Sequence, residues 1–431
     1  MMLFLTFSLV LLTYIAYYLN KKSLVSPPIL FSGGLTVASI IAWINEKKWN
    51  LQLDYRTFFV ITLGVLEFIA VAYIIGFLFN TLISESLDKK SKVYIKIPAY
   101  VKKRFKVVLI MQILVVFLGI ITVKRITGIS DLVSATNYIN YVQNGFIQGH
   151  LNFPAYFVIL LVFNSSAGMM AGYIFIEDIV VNKKFNWPLL FSVLIGFATP
   201  ILTGARGDSI LFLISLAILS YFIVKEQISW SSTNTKYIVW GSISAFLFIF
   251  VFEWSASLVG RNIESINLGD YISTYCGAEI ANLNEFIKTR QFPIKGEIFG
   301  QQTFVNILPT LSRLFGFEVP EYKLDIPFQI LNGHNTGNVA TIFYSWLYDF
   351  GYMGVFVLSM VASIISEICY KLANKNYGFR IIKLVYGYIG ALLVLSFFSN
   401  RFFENLNINF VYMILFWIVL KIILFRQEKS K

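Results

Sequence analysis

Gly260-Arg-Asn-Ile-Glu-Ser-Ile-Asn-Leu-Gly-Asp270 opens a polar stretch that continues to His334, and on both sides of it the chain is almost continuously apolar. This stretch of 75 residues carries these charged side chains: Arg261, Glu264, Asp270, Glu279, Glu285, Lys288, Arg290, Lys295, Glu297, Arg313, Glu318, Glu321, Lys323 and Asp325. The other loops are much smaller, so the sequence predicts that any site lies on this loop, at a membrane surface.

The composition indicates a polytopic membrane protein. Of 431 residues, 57% are hydrophobic and only 13% are charged, too little charge for the surface of a soluble protein of this size. The net charge of +12 comes from Lys and Arg clustered in short loops between apolar blocks, a pattern that orients helices in a bilayer and argues against nucleic-acid binding. Cys276 and Cys369 stand in unlike settings, which argues against a disulfide framework or a zinc site.

The apolar blocks predict an all-α fold with about eleven transmembrane helices, since a span needs about 20 apolar residues. The predicted spans are 2–19, 24–44, 57–80, 106–123, 152–176, 187–204, 209–224, 237–257, 351–370, 381–400 and 408–425. The first block lacks a basic start and a small-residue cleavage site, so we interpret it as a retained helix. The chain then divides into 1–257 with eight helices, the large loop 258–336, and 337–431 with three helices and a tail.

The distribution of Lys and Arg predicts that the N-terminus is outside and the C-terminus inside. The loop 81–106 alone contributes eight cations to the inner side: Lys89, Lys90, Lys92, Lys96, Lys102, Lys103, Arg104 and Lys106. With this orientation Arg206, the loop 258–336 and Arg401 all face the extracytoplasmic side.

The long loop is too long to be structureless. The segments 280–286 and 304–315 carry apolar residues at helical spacing, and prolines punctuate the loop. We expect short amphipathic helices lying on the helix bundle, with residues 336–348 leading into the ninth span.

Three arginines at outer helix ends are candidates for an anion site. Arg206 lies in the two-glycine turn of Pro200-Ile-Leu-Thr-Gly-Ala-Arg-Gly-Asp208, Arg261 follows the eighth span, and Arg401 lies between the last two spans with Glu404 placed to orient it. Guanidinium groups bind phosphate in bidentate fashion, so converging arginines would hold a pyrophosphate without a metal. The structural alternatives are a snorkelling Arg206 paired with Asp208 and separate contacts of Arg261 with lipid phosphates.

Two further groups are candidates for proton transfer or substrate binding. His334, in Leu331-Asn-Gly-His334-Asn-Thr-Gly337, is placed to act as a base or to bind phosphate, with Asn335 beside it. A lone histidine in a polar loop is otherwise a surface residue. Glu279 and Glu285 are outer carboxylates that are candidates for a general base. Surface solvation is the favoured account of Glu285, whereas Glu279 stands on an otherwise apolar turn. The sequence contains no metal or nucleotide motif, and we expect no metal and no cofactor.

These motifs, in this order, resemble the Wzy-type O-antigen and oligosaccharide repeat-unit polymerases, especially the enterobacterial common antigen polymerase branch. The matching parts are Thr203-Gly-Ala-Arg206, Arg261, the Gly296 to Leu314 region with Leu308-Pro-Thr-Leu-Ser-Arg-Leu314, Leu331-Asn-Gly-His334, Asp349-Phe-Gly-Tyr-Met-Gly354 and Arg401-Phe-Phe-Glu-Asn-Leu406. The resemblance covers about residues 190–425, and the N-terminal half matches only in layout.

The resemblance implies a GT-C-like glycosyltransferase on the outer face of a bacterial inner membrane. A growing glycan on undecaprenyl diphosphate would be transferred, with inversion and without metal, onto a lipid-linked repeat unit for O-antigen, lipopolysaccharide or capsule polysaccharide biosynthesis. Arg206, Arg261 and Arg401 would bind the pyrophosphates, with Asn335 and Glu404 as further binding residues, and His334 would bind the acceptor or act as base. Membrane lipids and a chain-length regulator protein are the other expected partners.

Two other functions stay open at this point. An O-antigen ligase of the same superfamily would transfer the glycan to a lipid core or a protein and suits His334 equally well. A lipid-linked oligosaccharide flippase would make no bond, but transporters are expected to show internal repeats and polar groups at mid-membrane depth rather than one large outer loop.

Overall fold

The computed structural model describes residues 1–87, 96–128, 153–203, 206–227, 268–294, 299–318, 327–375 and 378–426. Within these residues the chain is helical apart from one short hairpin. The helices are α1 (Met2–Leu19), α2 (Pro27–Ile44), α3 (Tyr55–Leu87), α4 (Ala99–Thr127), α5 (Ala155–Val180), α6 (Trp187–Ala198), α7 (Arg206–Gln227), α8 (Leu268–Cys276), α9 (Ala278–Thr289), α10 (Leu308–Phe315), α11 (Phe343–Lys375), α12 (Ile381–Val394), α13 (Arg401–Asn405) and α14 (Ile408–Phe425). Short 3-10 turns at Thr199–Thr203 and Leu395–Phe397 extend α6 and α12, and strands β1 (Gln329–Leu331) and β2 (His334–Gly337) form the hairpin.

The all-α polytopic membrane fold is confirmed. Eight of the described helices are long and apolar enough to cross a membrane, and the two shorter apolar helices Trp187–Leu202 and Ile381–Phe397 coincide with two more predicted spans. The remaining predicted span, 237–257, lies outside the described residues. Several helices overrun their predictions, and among them α3 reaches Leu87 and α4 starts at Ala99. The predicted bounds mark where the apolar sequence stops. A helix itself continues into polar sequence as long as its backbone hydrogen bonds are formed.

The ninth span differs from its prediction. Helix α11 starts at Phe343 rather than at 351, and it is interrupted at Gly351, which has φ 64° and ψ −154°. That backbone conformation is open to glycine and strained for other residues. The eight residues before the interruption are helical but mostly buried in the protein. The prediction looks for a segment long and apolar enough to face lipid, so it assigns these residues to the loop.

The described chain forms two compact units, each assembled from separated stretches of sequence. The first unit comprises Met1–Ser91, Asn267–Ala373 and Ile389–Ile408, and the second comprises Lys92–Ile266, Asn374–Tyr388 and Asn409–Lys431. Each unit therefore combines parts of the three sequence segments 1–257, 258–336 and 337–431. The large polar loop belongs, where it is described, to the first unit.

Small residues join α3 to α11 in the first unit. The hydroxyl of Ser359 donates to the carbonyl of Gly64 at 2.9 Å, and that of Ser363 donates to the carbonyl of Phe68 at 2.8 Å. A Cβ at Gly64 would lie 2.6 Å from the ring of Phe343, so the absence of a side chain is what lets the two helices approach. Interhelical hydrogen bonds in membranes contribute only about 0.6 kcal/mol on average. Close packing therefore accounts for more of this contact than the two hydroxyls do.

The second unit places glycine against glycine and amide against amide. A Cβ at Gly168 of α5 would lie 2.7 Å from the Cα of Gly196 of α6. Nearby, the amide of Gln112 donates to the carbonyl of Asn164 at 3.0 Å, and the amide of Asn164 donates back to the carbonyl of Gln112 at 3.3 Å. Both amide side chains are fully buried, and a buried amide is tolerated because its hydrogen bonds are made inside the protein.

Within each unit, polar contacts join helix ends that the predicted topology places on the same side of the membrane. In the second unit Lys102 of α4 pairs with Asp178 of α5, and Lys383 of α12 pairs with Glu226 of α7. In the first unit the hydroxyl of Tyr370 contacts the hydroxyl of Ser23 at 2.8 Å, which joins the end of α11 to the α1–α2 connection. These contacts agree with the up-and-down order of the spans.

We expect Gly168→Ala to destabilise the protein by about 1–3 kcal/mol, because the added methyl group meets backbone atoms that cannot move aside. The matched control is Gly33→Ala in α2, where an added Cβ meets nothing within 4 Å and the helix gains propensity. Thermal unfolding of both variants in the same detergent, followed by size-exclusion chromatography, measures the difference. Equal midpoints for the two variants would contradict the proposed glycine contact.

Candidate functional site

Helix α9 of the large loop is built into the protein rather than laid on it. Residues 278–284, Phe286 and Ile287 are all buried, so only Glu285, Lys288 and Thr289 escape burial. The prediction of amphipathic helices lying on the bundle is therefore wrong for 280–286. The physical reason is that Asn282 and Asn284 of this helix make hydrogen bonds inside the protein, so polarity in the sequence does not mark solvent exposure.

Two asparagines fasten α9 in place. The amide of Asn282 donates to the carbonyls of Thr336 and Val339 at 3.0 and 2.7 Å. Asn284 accepts from the backbone N–H of Asp54 at 2.8 Å and from the hydroxyl of Thr57 at 3.0 Å. Each buried amide thus makes the hydrogen bonds that water would otherwise make to a non-helical stretch of backbone. Together they connect α9 to the chain after the hairpin on one side and to the start of α3 on the other.

His334 and Asn335 lie on the exposed hairpin. The turn Asn332-Gly333 has positive φ at both residues, 49° and 75°, which is the backbone of a two-residue hairpin turn. Asn-Gly is a strong sequence signal for such a turn, and it is the signal that the helical interpretation of this loop missed. His334 and Asn335 are both exposed, while Thr336 beside them is fully buried.

Glu279 is the buried carboxyl of the loop. Its side chain has no solvent exposure, and within the described residues neither carboxylate oxygen has a hydrogen-bond partner. Burial raises the pKa of this carboxyl well above its ordinary value of 4.5. Burial also raises the pKa of the neighbouring Cys276 to about 12, which keeps that thiol protonated and unreactive. Glu279 is therefore not a solvated surface residue.

A turn at residues 301–303 is held by the interrupted part of α11. The carboxylate of Asp349 accepts the backbone N–H of Gln302 at 3.1 Å and that of Thr303 at 2.6 Å. The hydroxyl of Thr303 donates to the carbonyl of Ser345 at 3.1 Å. One carboxylate that takes two N–H groups fixes a short turn rigidly, because these are charge-assisted bonds. The predicted helix over 304–315 consequently begins only at Leu308.

The loop that carries Arg401 joins the same region. The amide of Asn400 donates to the carbonyl of Thr303 at 2.9 Å, and the amide of Asn306 donates to the carbonyl of Glu404 at 3.0 Å. The guanidinium carbon of Arg401 lies 6.0 Å from the ring centroid of Phe398, and that ring stacks at 6.2 Å on Tyr275 of α8. The 301–306 turn and the 398–404 loop thus meet, and α8 touches them.

These segments bury several polar atoms that make no hydrogen bond within the described residues. We call the following residues the polar centre: Glu279, Gln301, Thr341, Ser399 and Asn400. Gln301 is next to the turn that Asn400 binds, and Thr341 precedes Ile342, whose N–H donates to the carbonyl of Ser396 at 2.9 Å. Buried polar atoms without partners are rare in proteins, and each calls for an explanation such as a catalytic role or a bound water or ion. The polar centre is therefore our candidate site.

The structure describes the three predicted arginines to different extents. Arg206 is the first residue of α7 in the second unit, and its side chain is outside the described part. Arg261 also lies outside the described residues. Arg401 lies in the first unit and is half-buried. The convergence of these arginines remains a prediction.

Glu404 is 4% exposed, and its backbone carbonyl accepts from Asn306 and from Asn407, the latter at 2.9 Å. The guanidinium of Arg401 lies over the aromatic ring of Phe398. The role of the Glu404 carboxylate in orienting Arg401 stays a prediction.

Sequence reasoning missed the residues that hold the site together, namely Asn282, Asn284, Asp349 and Asn400. No group of three or more His, Cys, Asp or Glu side chains suited to a metal occurs among the described residues. In comparisons with known proteins, no family model, no curated protein and no solved structure matches the chain.

We expect Glu279→Gln to change how the stability depends on pH. Above pH 4.5 the carboxyl ionises in the unfolded chain but stays protonated in the folded one, so the wild-type protein loses up to about 1.4 kcal/mol per pH unit until the pH passes the raised folded pKa. The amide of the variant cannot ionise and escapes this loss. Its thermal midpoint relative to wild type is expected to rise with pH.

Glu285→Gln is the control, since Glu285 lies on the same helix, is half-buried and pairs with Lys288. Melting curves at several pH values between 4 and 8 make the comparison for wild type and both variants. Parallel curves for wild type and Glu279→Gln would contradict the burial of a protonated Glu279.

Proposed function

We propose that this protein is a polymerase of undecaprenyl-diphosphate-linked oligosaccharide repeat units in a bacterial plasma membrane, with its site on the extracytoplasmic side. The main support is the polar centre, in which a fully buried carboxyl and the loop of Arg401 belong to one set of interlocked segments. The ordered motifs of the sequence supply the substrate class, because they resemble the repeat-unit polymerases.

In the proposed reaction the anomeric carbon of the donor glycan changes partners. Its bond to the diphosphate oxygen breaks, and the electron pair leaves with the diphosphate. A hydroxyl oxygen of the acceptor repeat unit forms the new bond from the opposite face, and its proton passes to a base. The transition state resembles an oxocarbenium ion while negative charge grows on the diphosphate, so fixed guanidinium groups would stabilise it. This role is assigned to Arg206, Arg261 and Arg401 from their motifs.

Three residues are proposed for the acceptor side. Glu279 is shielded from water, and its raised pKa keeps it protonated, so it can donate a hydrogen bond to the substrate but cannot accept a proton. His334 and Asn335 are exposed on a hairpin whose following residues bind α9 through Asn282. We therefore assign proton acceptance to His334, acceptor binding to Asn335, and a hydrogen bond to the substrate to Glu279.

We expect Arg401→Ala and Arg206→Ala to leave a folded protein that elongates glycan about 10²–10³-fold more slowly, the cost of removing one donor to a developing anion. Arg→Lys at either position is expected to rescue poorly, since an ammonium group cannot form the bidentate contact with phosphate. The control is Arg290→Ala, an exposed arginine of the same large loop. The assay is a glycan ladder made by purified protein from lipid-linked repeat units.

Long glycan from both alanine variants would refute the anion-site mechanism. Polymer that forms only when a lipid core or protein acceptor is supplied would instead indicate a ligase. Translocation of repeat units without any ladder, in vesicles that contain the wild-type protein, would indicate a flippase.

The orientation has its own test. We expect a cysteine at the exposed Gln291 of the large loop to react from outside the cell with a membrane-impermeant thiol reagent. A cysteine at the exposed Lys21, between α1 and α2, is expected to react only after the membrane is permeabilised. The unsubstituted protein gives the background from Cys276 and Cys369. The reverse pattern of labelling would place the loop in the cytoplasm and overturn the proposed location of the site.

A further inference from the structure

Helix α10 of the large loop has one apolar side and one polar side. With 3.6 residues per turn, Leu308, Leu311, Leu314 and Phe315 share one side, and Pro309, Thr310, Ser312 and Arg313 share the other. An amphipathic helix in a folded protein normally turns its apolar side inward. In α10 only the first residue of that side does so, since Leu308 is 7% exposed.

The apolar side of α10 turns outward at its C-terminal end. Leu314 and Phe315 are 72% and 75% exposed, whereas Leu311 is half-buried. Gly316 ends the helix with φ 73° and donates its N–H to the carbonyl of Ser312 at 2.8 Å. Folding therefore presents an apolar surface at this helix instead of burying it.

This surface continues the lipid-facing side of α11. Phe299, just before α10, is 79% exposed and contacts the ring of Phe350 at 4.8 Å. Phe350 precedes Tyr352 and Met353, which are 49% and 69% exposed at the outer end of a membrane-spanning helix. The exposed side chains of the 299–315 segment therefore lie near the level where α11 leaves the bilayer.

We propose that the segment 299–315 inserts the apolar side of α10 into the interfacial region of the bilayer, so that this part of the large loop is anchored in lipid. The exposed Arg313 lies on the polar side of the same turn, where a guanidinium can reach lipid phosphates. The lipid surface is the occupant that the continuity with α11 favours. This inference does not depend on the proposed enzymatic activity.

The anchor also connects to the polar centre. The 301–303 turn that precedes α10 accepts the amide of Asn400 and donates to Asp349. A segment that is fixed at one end to the polar centre and at the other to the lipid surface would set the height of the site above the membrane. A lipid-linked substrate reaches the site from that surface.

The test is a cysteine scan along α10 in lipid nanodiscs. Single cysteines at 309, 311, 313, 314 and 315 are labelled with a small fluorophore, and emission is compared in ordinary lipid and in lipid brominated near the headgroup. We expect bromination to reduce emission at least about twofold more at 314 and 315 than at 313 and 309, because only the apolar side contacts lipid. Position 313, on the same turn, is the matched control, and the labelled unsubstituted protein corrects for Cys276 and Cys369.

Three outcomes would overturn the proposal. Equal quenching at 313, 314 and 315 would mean that the helix does not discriminate lipid from water. Strong quenching by a water-soluble iodide at 315, with none by bromolipid, would mean that the apolar side faces solvent. Protection of 315 from both quenchers, with cross-linking between copies through that cysteine, would mean that a second copy of the chain covers it.

Discussion

Non-helical backbone that is buried in a membrane protein, away from water, must have its hydrogen bonds made by protein, since lipid chains offer none. The first unit satisfies this constraint with short polar side chains rather than with a sheet. Asn282 and Asn284 bind the ends of neighbouring segments, Asn400 binds the 301–303 turn, and Asp349 takes two of that turn's N–H groups. The irregular segments 52–54, 301–303 and 336–339 are each held by at least one of these bonds.

The same constraint explains why α11 is interrupted where it is. In a continuous helix the residues around Asp349 would follow a regular helical path. The break at Gly351 instead leaves the carboxylate of Asp349 beside the 301–303 turn. A Cβ at Gly351 would also lie 3.3 Å from Pro293, so the chain after α9 packs closely against the interruption. The break in a spanning helix and the shape of the loop are two parts of one arrangement.

The fold was largely predictable, and the site only in part. Apolar length is a strong signal for a span, which is why the described helices follow the predicted ones and differ mainly at charged ends such as those of α3 and α4. Polarity is a weak signal for exposure, because α9 is polar and buried while α10 has an apolar side that is exposed. Glu279 stood out as a carboxyl in an apolar turn, but nothing in a single sequence marks Asn284 or Asn400 as partners of segments more than 90 residues away.

The construction of the first unit from distant stretches has a consequence for its biogenesis. The carbonyl of Gly64 accepts from the hydroxyl of Ser359, and this donor is synthesised 295 residues later. Until then the small-residue face of α3 has no partner from α11, and the whole second unit except its last parts is made in between. Assembly of the first unit is therefore a late event in synthesis, and its early helices must stay in the membrane meanwhile without engaging another chain.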